Sequence, residues 1–186
     1  KNMVDEILQL SQMESGLVDL KKTPFSIEAL IKGTIEKMSH FAAKRNITIK
    51  YLNMSDDVLI TFADENRIKQ VVINLINNAI KHSYDYSNIL ITAYRRNKWI
   101  YVCIRDFGEG IPEEEIPFIW HRFYTVDKSK SEDKTGLGLS IVKNIINAHG
   151  TDVTVNSVYG EGSEFCFYLP AYDGSGKQIL DNSSDI

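Results

Sequence analysis

The chain has 186 residues, enough for one domain with a sizeable core, or one domain and an appendage. It is 43% hydrophobic and 25% charged, ordinary for a globular protein, and its formal net charge of -4 argues against a nucleic-acid binder living on phosphates. No apolar run reaches the length of a membrane span, no signal peptide is visible, and Cys103 and Cys166 are too few for a disulfide framework.

Both cysteines sit in apolar, strand-like runs and read as buried reduced thiols, which fits the cytosol. The first residue is Lys1 rather than Met, so the sequence reads as a fragment. Residues 2–15 read as the end of a helix that stops at Gly16, with Val4, Ile7, Leu8 and Leu10 forming an incomplete apolar stripe. The segment 17–25 reads as extended. Ser26 then resembles an N-cap, opening a long amphipathic helix that carries Ala29, Leu30, Ile35, Met38, Phe41 and Ala42. Strand-like runs follow at 47–52 and 58–62. Asp64 caps a predicted helix over 65–82. Strands are predicted at 88–95 and 98–105, joined by a tight turn at Asn97. Residues 106–135 carry turn signals and charge with little periodicity, and loops that long are usually functional or disordered. A helix over 138–149, a strand 151–157, a turn at Val158–Gly162 and a strand 163–169 complete the domain. The polar tail 173–186 is expected to be disordered.

Pairs of strands alternate with single helices, so the sheet must be mixed rather than all parallel. The expected fold class is α/β: a two-layer sandwich with a mixed, mostly antiparallel sheet and three helices on one face.

The helix after Asp64 is the most informative stretch. Ile68, Val71, Val72, Leu75, Ile76, Ala79 and Ile80 keep an unbroken helical period and form one buried stripe. Arg67, Gln70, Asn74, Asn77, Asn78, Lys81 and His82 must then face elsewhere. Asn74 and Asn78 lie one above the other. Asparagine is a mediocre helix former, so three within five residues need a reason. One reading is a solvated polar face. The other is a pair of neutral amide oxygens offered to a hard cation such as Mg2+, which takes oxygen ligands and shares them with phosphates.

Two glycine turns follow. In Asp106-Phe107-Gly108-Glu109-Gly110, a carboxylate stands where an apolar strand runs out and needs a donor. The donor could be the N–H groups of the turn, or an exocyclic amine such as that of adenine. Gly136 and Gly138 flank Leu137 just before an apolar-periodic helix (Leu139, Val142, Ile145, Ile146). Free N–H groups and the positive dipole end at such a start attract anions, phosphate above all. A plain hinge is the other reading. Gly160 and Gly162 read most simply as a β-turn.

Asn74…Asn78, Asp106-x-Gly108-x-Gly110, Phe118–Phe123 (FIWHRF) and Gly136-Leu137-Gly138-Leu139, in this order and spacing, resemble the N, G1, F and G2 boxes of sensor histidine kinases. Each is weak alone; the ordered set is specific. The resemblance covers roughly residues 20–172 and implies the Bergerat ATP-binding fold shared with Hsp90, gyrase B and MutL-type proteins. It divides the chain into the end of a second dimerisation helix and linker (1–20), an ATP-binding catalytic domain (21–172) and a tail (173–186). It implies Mg2+ and ATP held by the asparagine helix, with Asn74 and Asn78 at the metal and phosphates, Lys81 reaching phosphate and His82 lining the nucleotide. It implies Asp106 on the adenine amine and Gly108, Gly110 and Ile111 shaping that pocket. Phe118, Phe123, Tyr124 and the segment to Thr135 would form a lid, and Gly136, Leu137, Gly138 and Leu139 would close over the phosphates.

Two departures stand out. The family's lid often reads Phe-Tyr-Arg-x-Asp, whereas this chain has Phe123-Tyr124-Thr125-Val126-Asp127, which leaves Arg122, Lys128 or Lys130 as substitute cations. No histidine here is followed by an acidic residue, as the family's phosphoacceptor normally is. The resemblance therefore implies a protein-histidine kinase's catalytic half that does not phosphorylate itself. Its γ-phosphate would pass to a histidine on a dimerisation helix of the full-length homodimer, and then to an aspartate of a response regulator receiver domain. The expected location is cytoplasmic, with the full-length protein anchored in a bacterial membrane that this stretch does not touch. The alternative is an ATP-gated conformational or ATPase module of the gyrase, MutL or Hsp90 kind. Against it, Gln70 stands where such a module would place its water-attacking glutamate, and Glu65 lies nine residues before Asn74.

Overall fold

The computed structural model describes residues 19–125 and 136–174. The expectations for 1–18, 126–135 and 175–186 lie outside the described residues. In chain order the elements are β1 (Thr23–Ser26), α1 (Ile27–Ala43), β2 (Thr48–Asn53), β3 (Ile60–Ala63), α2 (Glu65–His82), β4 (Asn88–Arg96) and β5 (Trp99–Asp106). A single 3-10 turn (Glu113–Glu115), α3 (Gly138–Ala148), β6 (Val153–Val158) and β7 (Gly162–Pro170) follow.

The main sheet has the order β2-β4-β5-β7-β6. β2 and β4 run parallel, and every other neighbouring pair is antiparallel. The sheet is therefore mixed because β2 reaches β4 through a crossover containing α2, while β4–β5 and β6–β7 are hairpins. The three helices cover one face, through Ile89, Ile91, Ala93, Ile100, Val102, Ile104, Phe165, Phe167 and Leu169, all at most 2% exposed. Residues alternating with these stand on the other face. The run expected at 58–62 is β3, which does not join the main sheet but pairs antiparallel with β1 as a separate ribbon.

All seven stripe residues of α2 are buried, so its rotation is the one its periodicity requires. Asp64 caps it: Oδ1 accepts from the Arg67 N–H at 3.1 Å. Oδ2 of the same carboxylate accepts from the Lys21 N–H at 3.1 Å, which pins the entering chain to the start of α2. His149 closes this corner. Its Nε2 accepts from the Asp64 N–H at 3.0 Å and its Nδ1 faces the Ile145 carbonyl at 2.8 Å, so the ring is a neutral linker between α3 and α2.

Two expectations are corrected. The buried side of α1 is Ile27, Leu30, Ile31, Thr34, Met38 and Ala42, whereas Ala29 and Phe41 face outward. Thr34 satisfies its own hydroxyl by donating to the Leu30 carbonyl, which lets a polar residue sit in the stripe. The cysteines are not reduced thiols. Cys103 on β5 and Cys166 on β7 are direct cross-strand partners and form a disulfide, with Cα atoms 4.1 Å apart. The compartment inferred from free thiols loses its basis with them.

Candidate functional site

The site candidates lie on the C-terminal half of α2, at the end of β5 with the loop after it, and at the start of α3. Asn74 and Asn78 share one half-buried face of α2, while Asn77 is exposed. Asn74 donates its amide Nδ2 to the Gly138 carbonyl at 3.3 Å. With Nδ2 engaged, its Oδ1 is left as the acceptor. The Asn78 amide makes no hydrogen bond to the described residues. Lys81 is exposed, and His82 stands half-exposed with Nδ1 3.8 Å from a Glu109 carboxylate oxygen.

The start of α3 has no side-chain cap and no acidic residue in its first turn. Helix geometry leaves the first-turn N–H groups without intrahelical acceptors. A Cβ added to Gly138 would meet nothing within 4 Å, so this helix start opens onto free space. Leu137 is fully buried and can offer only backbone to a ligand, and Leu139 packs partly against the core.

Gly108 and Gly110 make their close approaches to protein backbone. A Cβ on Gly108 would lie 1.8 Å from the His82 carbonyl oxygen, and one on Gly110 2.1 Å from that of Val158. Ser83 and Gly108 form a lone antiparallel bridge, and Glu109 N–H donates to the His82 carbonyl at 3.1 Å. On the other flank Gly160 N–H donates to the Glu109 carbonyl at 2.7 Å, and Ile111 N–H to Ser157 Oγ at 2.8 Å. The loop after Asp106 is thus clamped between the end of α2 and the β6–β7 turn. That clamp is why Asp106, at 2% exposure, stays at the edge of the site. Its Oδ1 accepts from the Ser163 N–H at 3.3 Å. Burial pushes its carboxyl up to about 6, against the hydrogen bonds from Ser163 and Gly108 and the charge of Arg105, which act the other way.

Some contributors were invisible in the sequence. Arg45, in the loop after α1, donates to the carbonyls of Ile80 (2.6 Å), Lys81 (3.0 Å) and Ser83 (2.9 Å) and pairs with Asp85. It satisfies the carbonyls at the end of α2, the orphan groups that helix geometry leaves there. Its partners lie at least 35 residues away, so no local pattern points to it. Gly162 is another: a Cβ there would lie 2.2 Å from the Asp106 carbonyl oxygen. In the FIWHRF stretch the anchors are Ile119, which is buried, and Trp120, which packs edge-on against Phe165 beneath Lys143. Phe118, Arg122 and Phe123 are exposed, and Tyr124 is half-buried. Phe123 takes a φ of 61° and donates its N–H to the Gly136 carbonyl at 3.0 Å, joining the ends of the intervening segment. Gly136 has a φ of 62° and lies against Phe123, where a side chain would clash. Thr135, Lys128 and Lys130 lie outside the described residues. A cavity of about 440 Å³ lies elsewhere, between residues 19–23 and the first turn of α2.

Known proteins resemble this chain in sequence and fold. The chain is 36% identical over 182 residues to the sensor histidine kinase YkoH of Bacillus subtilis, covering 95% of this chain and 38% of that protein. It spans less than half the length of the curated relatives it matches. The full-length structure of ShkA in complex with AMPPNP superposes with a TM-score of 0.82 at 28% identity, over 91% of this chain and 35% of that one. Histidine kinase ThkA in complex with the response regulator TrrA gives a TM-score of 0.70 at 28% identity, over 91% of this chain and 49% of that one. The family of histidine kinase-, DNA gyrase B- and HSP90-like ATPases matches residues 63–173, more than half of the chain. That span runs from the cap of α2 through the loop after Asp106 and the bare start of α3 to the end of β7, and the chain belongs to this family of ATPases.

Proposed function

We propose that residues 21–172 are the ATP-binding catalytic domain of a sensor histidine kinase, preceded by the end of a dimerisation helix and followed by a tail. The observation that carries this is the uncapped start of α3 tied by the Asn74–Gly138 hydrogen bond to the asparagine face of α2. A triphosphate fits there because the helix start offers N–H donors and Gly138 leaves it open. Ionised Asp106 accepts the adenine amine, and Gly108, Gly110 and Ile111 hold the loop that positions it. Lys81 adds a cation for the phosphates, and His82 lines the nucleotide. Phe123, Tyr124 and the segment to Thr135 form the lid; Gly136, Leu137, Gly138 and Leu139 close over the phosphates through backbone.

The amide oxygens of Asn74 and Asn78 would hold Mg2+, which when bound offsets charge on the phosphates. Amides suit this task because they ligate without repelling the neighbouring phosphate oxygens. The chain's own work is positioning: it presents the γ-phosphate, in line, to an imidazole on a dimerisation helix of the full-length homodimer. A bond from that nitrogen to phosphorus forms as the bond to the β-phosphate oxygen breaks, and ADP leaves. The phosphoryl group then passes to an aspartate of a response regulator, at the cytoplasmic side of a membrane-anchored protein. His40 and His121 are exposed, His82 lines the site and His149 is buried as a linker, and none has the acidic successor of an acceptor.

Titration calorimetry of the chain with ATP, with and without Mg2+, tests the reading. Binding between about millimolar and micromolar is expected, strengthened by the metal. No heat and no protection at saturating nucleotide would overturn it.

A further inference from the structure

We propose that Cys103, Cys166 and Glu164 form a binding site for one thiophilic divalent cation such as Zn2+ when the disulfide between the cysteines is reduced. These three residues share the sheet face opposite the helices, and among the described residues they are the group of His, Cys, Asp or Glu side chains close enough to hold an ion. Their ligand atoms all lie within 4.8 Å of one another. The register places Cys103 across from Cys166 and Arg105 across from Glu164, so the carboxylate stands one pleat along the same face as the sulfurs. Seven residue pairs between β5 and β7 hold this register, and the core residues Val102, Ile104, Phe165 and Phe167 back it. The ladder is independent of the sulfur–sulfur bond, so reduction leaves two thiols side by side on a rigid surface rather than on a loop.

Two thiolates and a carboxylate are a ligand set that Zn2+ and Cd2+ accept, with water completing a tetrahedron. Arg105 is the register partner of Glu164 and lies over the Phe107 ring at 5.0 Å, so a cation beside the site offsets part of the charge of the three negative ligands. Cys166 is half-buried and Cys103 buried, so Cys166 is the more accessible of the two to an attacking thiolate. A dithiol reductant supplies the two electrons and two protons: the sulfur–sulfur bond breaks, two thiols form, and the reductant leaves as its own disulfide. Metal binding then displaces both thiol protons to solvent. This site lies on the far side of the sheet from the nucleotide candidates and does not depend on them.

The test uses the full chain, oxidised and after reduction with dithiothreitol and removal of the reductant. Titration with Cd2+ reads thiolate ligation through the sulfur-to-cadmium charge-transfer band, and Zn2+ affinity follows from competition with a chromogenic chelator. One Cd2+ per reduced chain and none per oxidised chain is expected. The double variant Cys103→Ser/Cys166→Ser should lose the band, and Glu164→Gln, which keeps both sulfurs and the ladder, should weaken binding at least about tenfold. A disulfide that resists dithiothreitol in the folded chain overturns the proposal. So does a reduced wild type that binds no more Cd2+ than the double variant, or a Glu164→Gln chain that binds as tightly as wild type.

Discussion

Asn74 and Gly138 are 64 residues apart in sequence and joined by one hydrogen bond of 3.3 Å. The bond brings the asparagine face of α2 against the start of α3. It also orients the Asn74 amide, turning its nitrogen to α3 and leaving its oxygen as the acceptor. Asn74→Ala should therefore cost about 1 kcal/mol of stability, the net worth of such a bond. Its larger effect should be to reduce the Mg2+ dependence of ATP binding in calorimetry. Wild-type Mg2+ dependence in the variant would contradict the assignment.

Gly108 and Gly138 should respond oppositely to alanine. Gly138 is helical with open space before its Cβ, so Gly138→Ala should keep or raise the melting temperature, with up to about 1 kcal/mol from helix propensity. The same methyl group stands where phosphate would approach, so ATP affinity should fall more than adenosine affinity. Gly108→Ala meets the His82 carbonyl at 1.8 Å and should lower the melting temperature by several degrees, releasing the loop after Asp106. Thermal melts and calorimetry on both variants check the contrast; an unchanged ATP affinity in Gly138→Ala argues against an anion at that helix start.

The carboxyl of Asp106 is raised from its ordinary value of 3.8 to about 6 by burial. Its protonated form is thus favoured in the folded chain. The stabilising contribution is complete below the ordinary carboxylate value and is lost as pH rises through about 6. Asp106→Asn keeps an oxygen for the Ser163 N–H without the charge. It should be more stable than wild type at pH 8, by on the order of 3 kcal/mol, with the gap vanishing below about pH 4. The same variant should bind ADP about 10–100-fold more weakly at pH 8, because a charge-assisted hydrogen bond to the amine is lost. Wild-type ADP affinity should itself decline below pH 6. Unchanged ADP binding in Asp106→Asn would count against the adenine role.

Burial holds the His149 imidazole below the ordinary histidine range. Protonation would turn Nε2 from an acceptor into a donor facing the Asp64 N–H. The contribution of His149 is therefore present above about pH 6.5 and lost as pH falls through the lowered folded value. His149→Leu leaves the Asp64 N–H without a partner and should cost about 1–3 kcal/mol at pH 8. Urea midpoints should show that deficit shrinking as pH falls below about 6.5, because the unfolded chain then takes up a proton that the folded chain resists. A deficit independent of pH would mean that packing, not the hydrogen bond, is what His149 contributes.

The elements and the candidate site are unequally legible. Seven apolar residues at helical spacing announced α2 and its rotation, because burial of large side chains tolerates few other solutions. In α1 residue type misleads: Phe41 and Ala29 have core character but face outward, while Thr34 is buried, its hydroxyl satisfied by its own helix. The glycines of the Asp106 loop were visible as glycines. That their bare Cα atoms meet the backbone of His82 and Val158 was not, since those partners come from α2 and from the β6–β7 turn. Arg45 looked like any surface cation.

Periodicity, caps and the ordered asparagine and glycine sets were enough to specify the helices, the hairpins and the class of fold, since each depends on neighbours within a few residues. Pairing across the sheet depends on contacts many residues apart, and only the folded chain settles it. That is why Cys103 faces Cys166 rather than standing as a lone thiol, why β3 leaves the main sheet for β1, and why Arg45 closes the end of α2. Local sequence sets which face of each element is apolar; the packing of those faces against one another decides which polar groups meet at their edges.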